Sequence, residues 1–502
     1  MIFKSQITKP WKASDYVKTI FQFFAHAIVI SLLFFAAMII NAGSFQAAGE
    51  LLDKSKKLFV TIYVVLAVMF LLAMVYLYFY FELKDFLKEG KNIFMVFFAL
   101  EISLIISFAV EKIFNVYARP LSLCALLILL LVNRRSAIIM NITFCMIMFM
   151  VDSFAGASMG VTSRAAYSTM IIGLTTGMLA IYLINNVSSR IKVFFRGLYI
   201  SVPVIICTIC MEISETSNIW QLVIYGFTSG MFSVVLMMSI LPFFEYAFNV
   251  VTDYRLSEIT DHKSKLIRLM REKAPGTYNH SLTVSTLAES CATAIGENAL
   301  LARAAAYYHD IGKLKQPEYF TENQSGYNPH NELSPELSTD IIKAHTRDGY
   351  DLIKKYHLPQ ILADVAREHH GTLPIKYFYA KALKYTEGDL DIADFSYGGP
   401  RPQSKISAII MICDGCEAAV RSLHDRSQEK VDHMVRMIIE ERMDLEQFNE
   451  CDLTMRDIDI IRTTISQSLG GVYHDRVKYP KLKIGKRNAV QTSDSSDEKA
   501  EK

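Results

Sequence analysis

From residue 20 to residue 243 the chain is a succession of apolar runs broken by short polar or charged segments. Eight runs approach the roughly 20 apolar residues that cross the hydrocarbon core of a bilayer: about 20–42, 58–81, 92–110, 117–133, 136–155, 166–186, 194–211 and 219–243. Only Asn133-Arg134-Arg135 separates the fourth from the fifth, which reads as a tight turn. After Leu241-Pro242 the pattern changes. A polar, helical-looking connector runs to about residue 273, with Leu256, Ile259, Leu266 and Met270 spaced for one helical face. From Ala274 the apolar positions recur with helical period over Leu282–Ile295, Leu300–His309, Leu337–Tyr356, Leu362–His370, Ile406–Leu423, Val431–Met443 and Ile458–Leu469. No alternating strand set interrupts them. Gln316–Pro335 and Thr386–Ser404 are rich in Pro, Asn and Gly and read as long functional loops.

The expected fold is therefore all-α: a polytopic helical membrane domain followed by an all-helical domain. The boundaries that follow are a 1–19 N-terminus, 20–243 in the membrane as about eight helices, a 244–273 juxtamembrane connector, a 274–480 helical domain and a disordered 481–502 tail. The first run follows basic residues like a secretory signal, but its apolar length suits an uncleaved anchor.

Composition sharpens this division. The 502 residues are 52% hydrophobic, and the net charge of +2 is the difference between a basic membrane half and an acidic remainder. Neither half has the basic concentration of a general nucleic-acid binder, so no nucleic-acid polymer is expected as partner. With the N-terminus inside, Lys4, Lys9, Lys12, Lys18, Lys84, Lys88, Lys91, Arg134, Arg135, Arg190, Lys192 and Arg196 fall on one side. The other side mixes Lys54, Lys112, Arg119 and Arg164 with Glu50, Asp53, Glu111, Glu212 and Glu215. The asymmetry and an even number of crossings put the helical domain in the cytoplasm. Eight scattered cysteines without a framework spacing suit a reducing compartment. Cys207 and Cys210 lie on one face of an apolar helix and read as packing. Glu101 and Asp152 are carboxylates within spans, where an ionisable residue is a functional candidate; paired interhelical bonding is the plainer reading of Glu101.

The chemistry concentrates between residues 280 and 414. Adjacent His309 and Asp310 offer one nitrogen ligand and one carboxylate able to bridge two ions. An isolated pair of this kind is weak, but His280, His345, the doublet His369-His370 and Asp414 add four imidazoles and a second carboxylate. Imidazole and carboxylate together suit Fe, Mn or Zn better than Mg or Ca.

The order H…HD…H…HH…D resembles the HD-domain metal phosphohydrolases. The wording around it resembles the seven-transmembrane HD family of cyclic di-AMP phosphodiesterases across residues 241–480, and more loosely in the membrane half. The similarity is strongest in Ala274-Pro275-Gly276-Thr277-Tyr278-Asn279-His280-Ser281, Ala306-Tyr307-Tyr308-His309-Asp310-Ile311-Gly312-Lys313, Glu322-Asn323-Gln324, His369-His370-Gly371-Thr372 and Gly399-Pro400-Arg401-Pro402-Gln403-Ser404. The resemblance implies two divalent metal ions, Mn or Fe foremost, bridged by a catalytic Asp310. His280, His309 and Asp414 would complete one set of ligands, and His345, His369 and His370 the other. It implies a membrane phosphodiesterase that opens cyclic di-AMP to 5′-pApA inside a bacterial cell, with the lipid bilayer as its other partner and homodimerisation left open. Lys313 is placed to neutralise a substrate phosphate, although a lysine after a helix end also serves the dipole. Arg401 is a second candidate for substrate contact, with a surface role as the alternative. The remaining histidines have no matching metal role.

Three features depart from the family pattern. Only about 16 residues lie between the first two runs, where relatives carry a large extracytoplasmic domain. Asn279 stands where the family often has a second histidine, and Lys405-Ile406 where it usually has an acid. No Gly-Tyr-Pro follows His369-His370-Gly371, which argues against the HD-GYP enzymes of cyclic di-GMP. An HD phosphohydrolase for another nucleotide, and a nucleotide-binding membrane receptor with little turnover, are the alternative functions.

Overall fold

The computed structural model describes residues 11–42, 55–159, 163–185, 187, 189–214, 218–385 and 389–472. The expected disordered tail at 481–502 lies outside them, as does most of the link between the first two apolar runs. Among the described residues there is no strand, only one isolated bridge between Pro374 and Ser396.

The membrane half is a bundle of α1 (Ala13–Ala42), α2 (Ser55–Glu82), α3 (Gly90–Ile113), α4 (Leu123–Leu131), α5 (Arg134–Met159), α6 (Ser163–Ile184), α7 (Arg190–Glu212) and α8 (Ile219–Ala247). Seven of these are long and apolar enough to cross a membrane; α4 is not. The fourth predicted span is therefore corrected from a full-length helix to a nine-residue one. Pro120 explains the difference, because it holds Arg119 in extended backbone and prevents the helix from starting earlier.

This segment still travels from one end of the bundle to the other. At one end Tyr78 of α2 meets Ser136 of α5 at 3.3 Å, and Arg134 lies over the Tyr182 ring of α6 at 4.1 Å. At the other end Arg119 Nη1 sits 2.6 Å from Asp152 of α5. Residues 119–134 join these two levels. Irregular backbone at such depth persists only where protein, not lipid, surrounds it. That condition is met: α4 is buried along nearly its whole length, Ser229 Oγ of α8 donates to the Arg119 carbonyl at 2.6 Å, and the Ser122 amide donates to Ser233 Oγ at 3.3 Å. The start of α1 and the exit of α8 share an end, since Trp11 meets Tyr80 and Phe248 packs on Phe94.

The structure also pairs the membrane carboxylates. Glu101 accepts from His26 Nδ1 at 2.7 Å, an interhelical bond. Asp152 and Glu111 both bind Arg119, which the charge pattern places among the residues of the side opposite the N-terminus but which is 0% exposed. A buried arginine between two carboxylates satisfies charges that would each be costly alone.

The connector is two short helices, α9 (Asp253–Ile259) and α10 (Lys265–Lys273), rather than one continuous face. A turn at Asp261–Ser264, where Asp261 accepts from the Lys263 amide, separates them. Leu256, Leu266 and Met270 nevertheless bury in the core of the following domain, with Ile259 packed against it. That domain comprises α11 (Pro275–Ile295), α12 (Ala299–Tyr308), α13 (Pro335–Lys355), α14 (Gln360–Glu368), α15 (Lys376–Ala382), α16 (Lys405–Ser422), α17 (Gln428–Asp444) and α18 (Met455–Val472). The sequence reading missed α15. The Gln316–Pro335 loop contains short 3-10 turns that bring Phe320 beside the candidate site.

Candidate metal centre

Five segments converge on one point. His280 comes from the first half of α11, and His309 and Asp310 from the end of α12, where the chain tightens into a 3-10 turn. His345 lies mid-way along α13, His369 and His370 follow α14, and Asp414 sits in the middle of α16. Gly312 allows the turn after Asp310 to press against α13. A Cβ there would fall 1.9 Å from the carbonyl oxygen of His345, so no larger residue keeps Asp310 and His345 this close.

The seven residues form two four-membered donor groups that share Asp310. One is His280, His309, Asp310 and Asp414; the other is Asp310, His345, His369 and His370, and within each the ligand atoms all lie within 4.8 Å of one another. Asp310 Oδ2 is 3.3 Å from His309 Nε2 and 3.7 Å from His280 Nε2. Its Oδ1 is 3.4 Å from His345 Nε2 and 3.6 Å from His369 Nε2. His309 Nε2 and Asp310 Oδ1 are buried with no hydrogen-bond partner. Buried polar atoms are rarely left so, and a cation in each donor group satisfies the one that lies in it. The donor set thus fits two divalent ions.

Outer contacts turn the imidazoles inward. Nδ1 donates to Glu417 from His280 at 2.6 Å, to the Ala306 carbonyl from His309 at 2.7 Å, to the Ile342 carbonyl from His345 at 2.5 Å and to the Ala366 carbonyl from His369 at 2.9 Å. Nε2 is left facing the carboxylates, Asp414 Oδ1 at 2.9 Å for His280 and Asp310 for the other three, the usual device for fixing a ligand's tautomer. Burial alone would lower His309, but Asp310 and Asp414 carry it up to about 10. Burial pushes His345 down to about 3. Burial would raise Asp310, yet Lys313 and His309 hold it well below the usual carboxylate range. Protons and the Lys313 ammonium balance the carboxylates here, so ion binding displaces protons.

Lys313 Nζ lies 2.7 Å from Asp310 Oδ2 and 2.9 Å from Glu322 Oε1. The structure thus brings eight of the sequence-predicted site residues together. Arg401 is apart from that hydrogen-bonded group, its guanidinium 3.2 Å from Glu446 at the surface. Three residues went unassigned in the sequence: Glu417 behind His280, Glu322 behind Lys313, and Tyr397, whose ring stacks on His370 at 4.3 Å. Glu417 had a readable signal, standing three residues after Asp414 and hence on the same helix face. Glu322 lay in a quoted motif without a role, and Tyr397 carried no local signal.

A helical domain that gathers five imidazoles and a second carboxylate around a shared aspartate has the donor set of the HD domains. Two family models match this chain, "7TM receptor with intracellular HD hydrolase" over residues 58–252 and "HD domain" over residues 277–419. It is similar to the cyclic-di-AMP phosphodiesterase PgpH of Bacillus subtilis (strain 168), 39% identical over 374 residues, 72% of this chain and 51% of that protein. The Listeria monocytogenes serotype 1/2a protein of the same name is 36% identical over 396 residues, 78% and 53% of the two chains. A crystal structure of the L. monocytogenes PgpH HD domain in complex with cyclic-di-AMP shares 50% identity, covers 43% of this chain and 99% of that one, and superposes with a TM-score of 0.41. The chain spans about half the length of the curated relatives it matches. It belongs to the seven-transmembrane HD hydrolase family and is a multi-pass membrane protein. The residues matched by the membrane model include α4 and the six long helices α2, α3 and α5–α8 in whole or nearly so.

Proposed function

We propose that the chain is an integral membrane phosphodiesterase that hydrolyses cyclic di-AMP to 5′-pApA. The observation that carries this reading is the pair of donor groups sharing Asp310. The named activity of relatives at 36–39% identity supports the choice of substrate. His280, His309 and Asp414 would hold one ion, His345, His369 and His370 the other, and Asp310 both. An imidazole-rich set with two carboxylates favours Mn or Fe. Bound there, such ions supply Lewis-acid chemistry: acidification of water and neutralisation of charge on phosphoryl oxygens.

The protein's own groups do the rest. The outer hydrogen bonds fix the imidazoles before substrate arrives, which limits reorganisation during the reaction. Lys313 holds a positive charge beside Asp310 and is the group we assign to a phosphate oxygen, with Glu322 steadying its ammonium. Arg401, half of an exposed ion pair, is assigned to the rim, where it can exchange Glu446 for a substrate phosphate or base. The basic residues at the end of the bundle shared by the N-terminus and the α8 exit favour the cytoplasm for the HD domain.

The test uses the full-length protein in detergent, loaded with Mn or Fe and offered cyclic di-AMP, cyclic di-GMP and linear nucleotides, with products identified by mass. Selective conversion of cyclic di-AMP to its linear dinucleotide is expected. Cleavage of a different nucleotide in its place would overturn the substrate assignment, and ion loading without any turnover would favour a receptor.

A further inference from the structure

We propose that Tyr397 is a positioning residue for the metal centre, its stacked ring setting the orientation of His370 in place of a hydrogen bond. The inference rests on the two-ion reading above. Among the five histidines, His309, His345 and His369 each donate Nδ1 to the carbonyl three residues earlier, and His280 donates to Glu417. His370 has no such bond among the described residues. Its ion-pair neighbour is Asp414 Oδ2 of the other donor group, 3.8 Å from Nδ1 and too far for a hydrogen bond.

The reason lies in the backbone. By the three-residue rule the carbonyl available to His370 would be that of Arg367, and the chain at Gly399 closes onto it. A Cβ on Gly399 would fall 2.5 Å from the Arg367 oxygen. The loop that covers this acceptor also delivers Tyr397. Its ring lies 4.3 Å from the His370 ring at an interplanar angle of 23°, and edge-on to His345 at 5.9 Å. The Tyr397 amide donates to the Leu373 carbonyl at 3.0 Å, and the Leu373 amide to the His370 carbonyl at 3.0 Å. Stacking occupies the face of an imidazole and leaves its in-plane nitrogens free for an ion. Tyr397 thus holds the ring against rotation about its side-chain bonds without competing for the lone pair.

The expected consequence is confined to one ion. Loss of the planar face should weaken binding at Asp310, His345, His369 and His370 by about 10–100-fold, the usual effect of removing a ligand's outer partner. The other donor group should keep its ion. The experiment titrates Mn into full-length protein against a competing chelator and counts bound ions per chain by mass spectrometry. Tyr397→Leu should lose the weaker ion, Tyr397→Phe should retain it, and Tyr397→Leu should add nothing in a His370→Ala background. Two ions at unchanged affinity in Tyr397→Leu would overturn the proposal, as would equal losses in Tyr397→Phe, which would assign the effect to the hydroxyl. Should Tyr397→Leu fail to fold by circular dichroism, Tyr397→Gln makes the same comparison. Fewer than two ions on the unmutated protein would overturn the two-ion reading itself, an outcome distinct from either.

Discussion

Glu417 Oε2 lies 2.6 Å from His280 Nδ1, one helical turn past Asp414 on the same helix. A single helix therefore supplies one donor directly and orients another. Glu417→Ala should weaken the ion at His280, His309, Asp310 and Asp414 by about 10–100-fold. Chelator competition with Mn measures this, and the second donor group serves as an internal control. Equal weakening of both ions would point to general loosening of the fold.

Asp310 belongs to both groups. Asp310→Ala should therefore remove both ions and abolish hydrolysis while membrane insertion and helicity persist. Metal content and turnover of the detergent-purified variant decide the matter. Unchanged turnover would sink the two-metal mechanism.

The residues of the donor cluster were legible in the sequence because His and Asp are scarce, chemically specific and set in recognisable phrases. Their partners were not. Tyr397 lies 27 residues beyond His370 in a loop whose path depends on contacts with the end of α14. The membrane half shows the same limit. Hydropathy finds the apolar run at 117–133, but it cannot reveal that Pro120 delays the helix or that Arg119 turns inward to Asp152 and Glu111. A charge pair across 33 residues depends on how helices pack, which a local pattern does not encode.

Lys405 at the start of α16 holds Asp457 at the start of α18, with Nζ 2.9 Å from Oδ2. Burial would raise Asp457, but Lys405 and the Thr454 amide hold it below the ordinary carboxylate value. A carboxylate depressed in the folded state stabilises it above the unfolded pKa, about 3.9, and the contribution disappears as pH falls through the folded value. Asp457→Asn should then cost about 1 kcal/mol at pH 7 for a charged hydrogen bond that keeps some solvent contact. The difference in thermal unfolding between variant and wild type should close below about pH 4. A gap that stayed constant across that range would mean the carboxylate's charge is not the source.

Arg255 ties the membrane exit to the helices that carry the donor cluster. Its guanidinium donates to the carbonyls of Glu245 at 2.7 Å and Val250 at 3.1 Å behind it, and of His357 at 3.1 Å ahead. His357 occupies the left-handed region at φ 54° in the turn between α13, which bears His345, and α14, which leads to His369 and His370. Removing a charged donor shared by three carbonyls should ease local opening of that turn, and about 1.4 kcal/mol corresponds to a tenfold change. In Arg255→Ala, amide exchange at residues 354–358 should quicken about tenfold, while the buried amides around Val365 keep their protection. Exchange that stays slow at that turn would show that Arg255 does not restrain it.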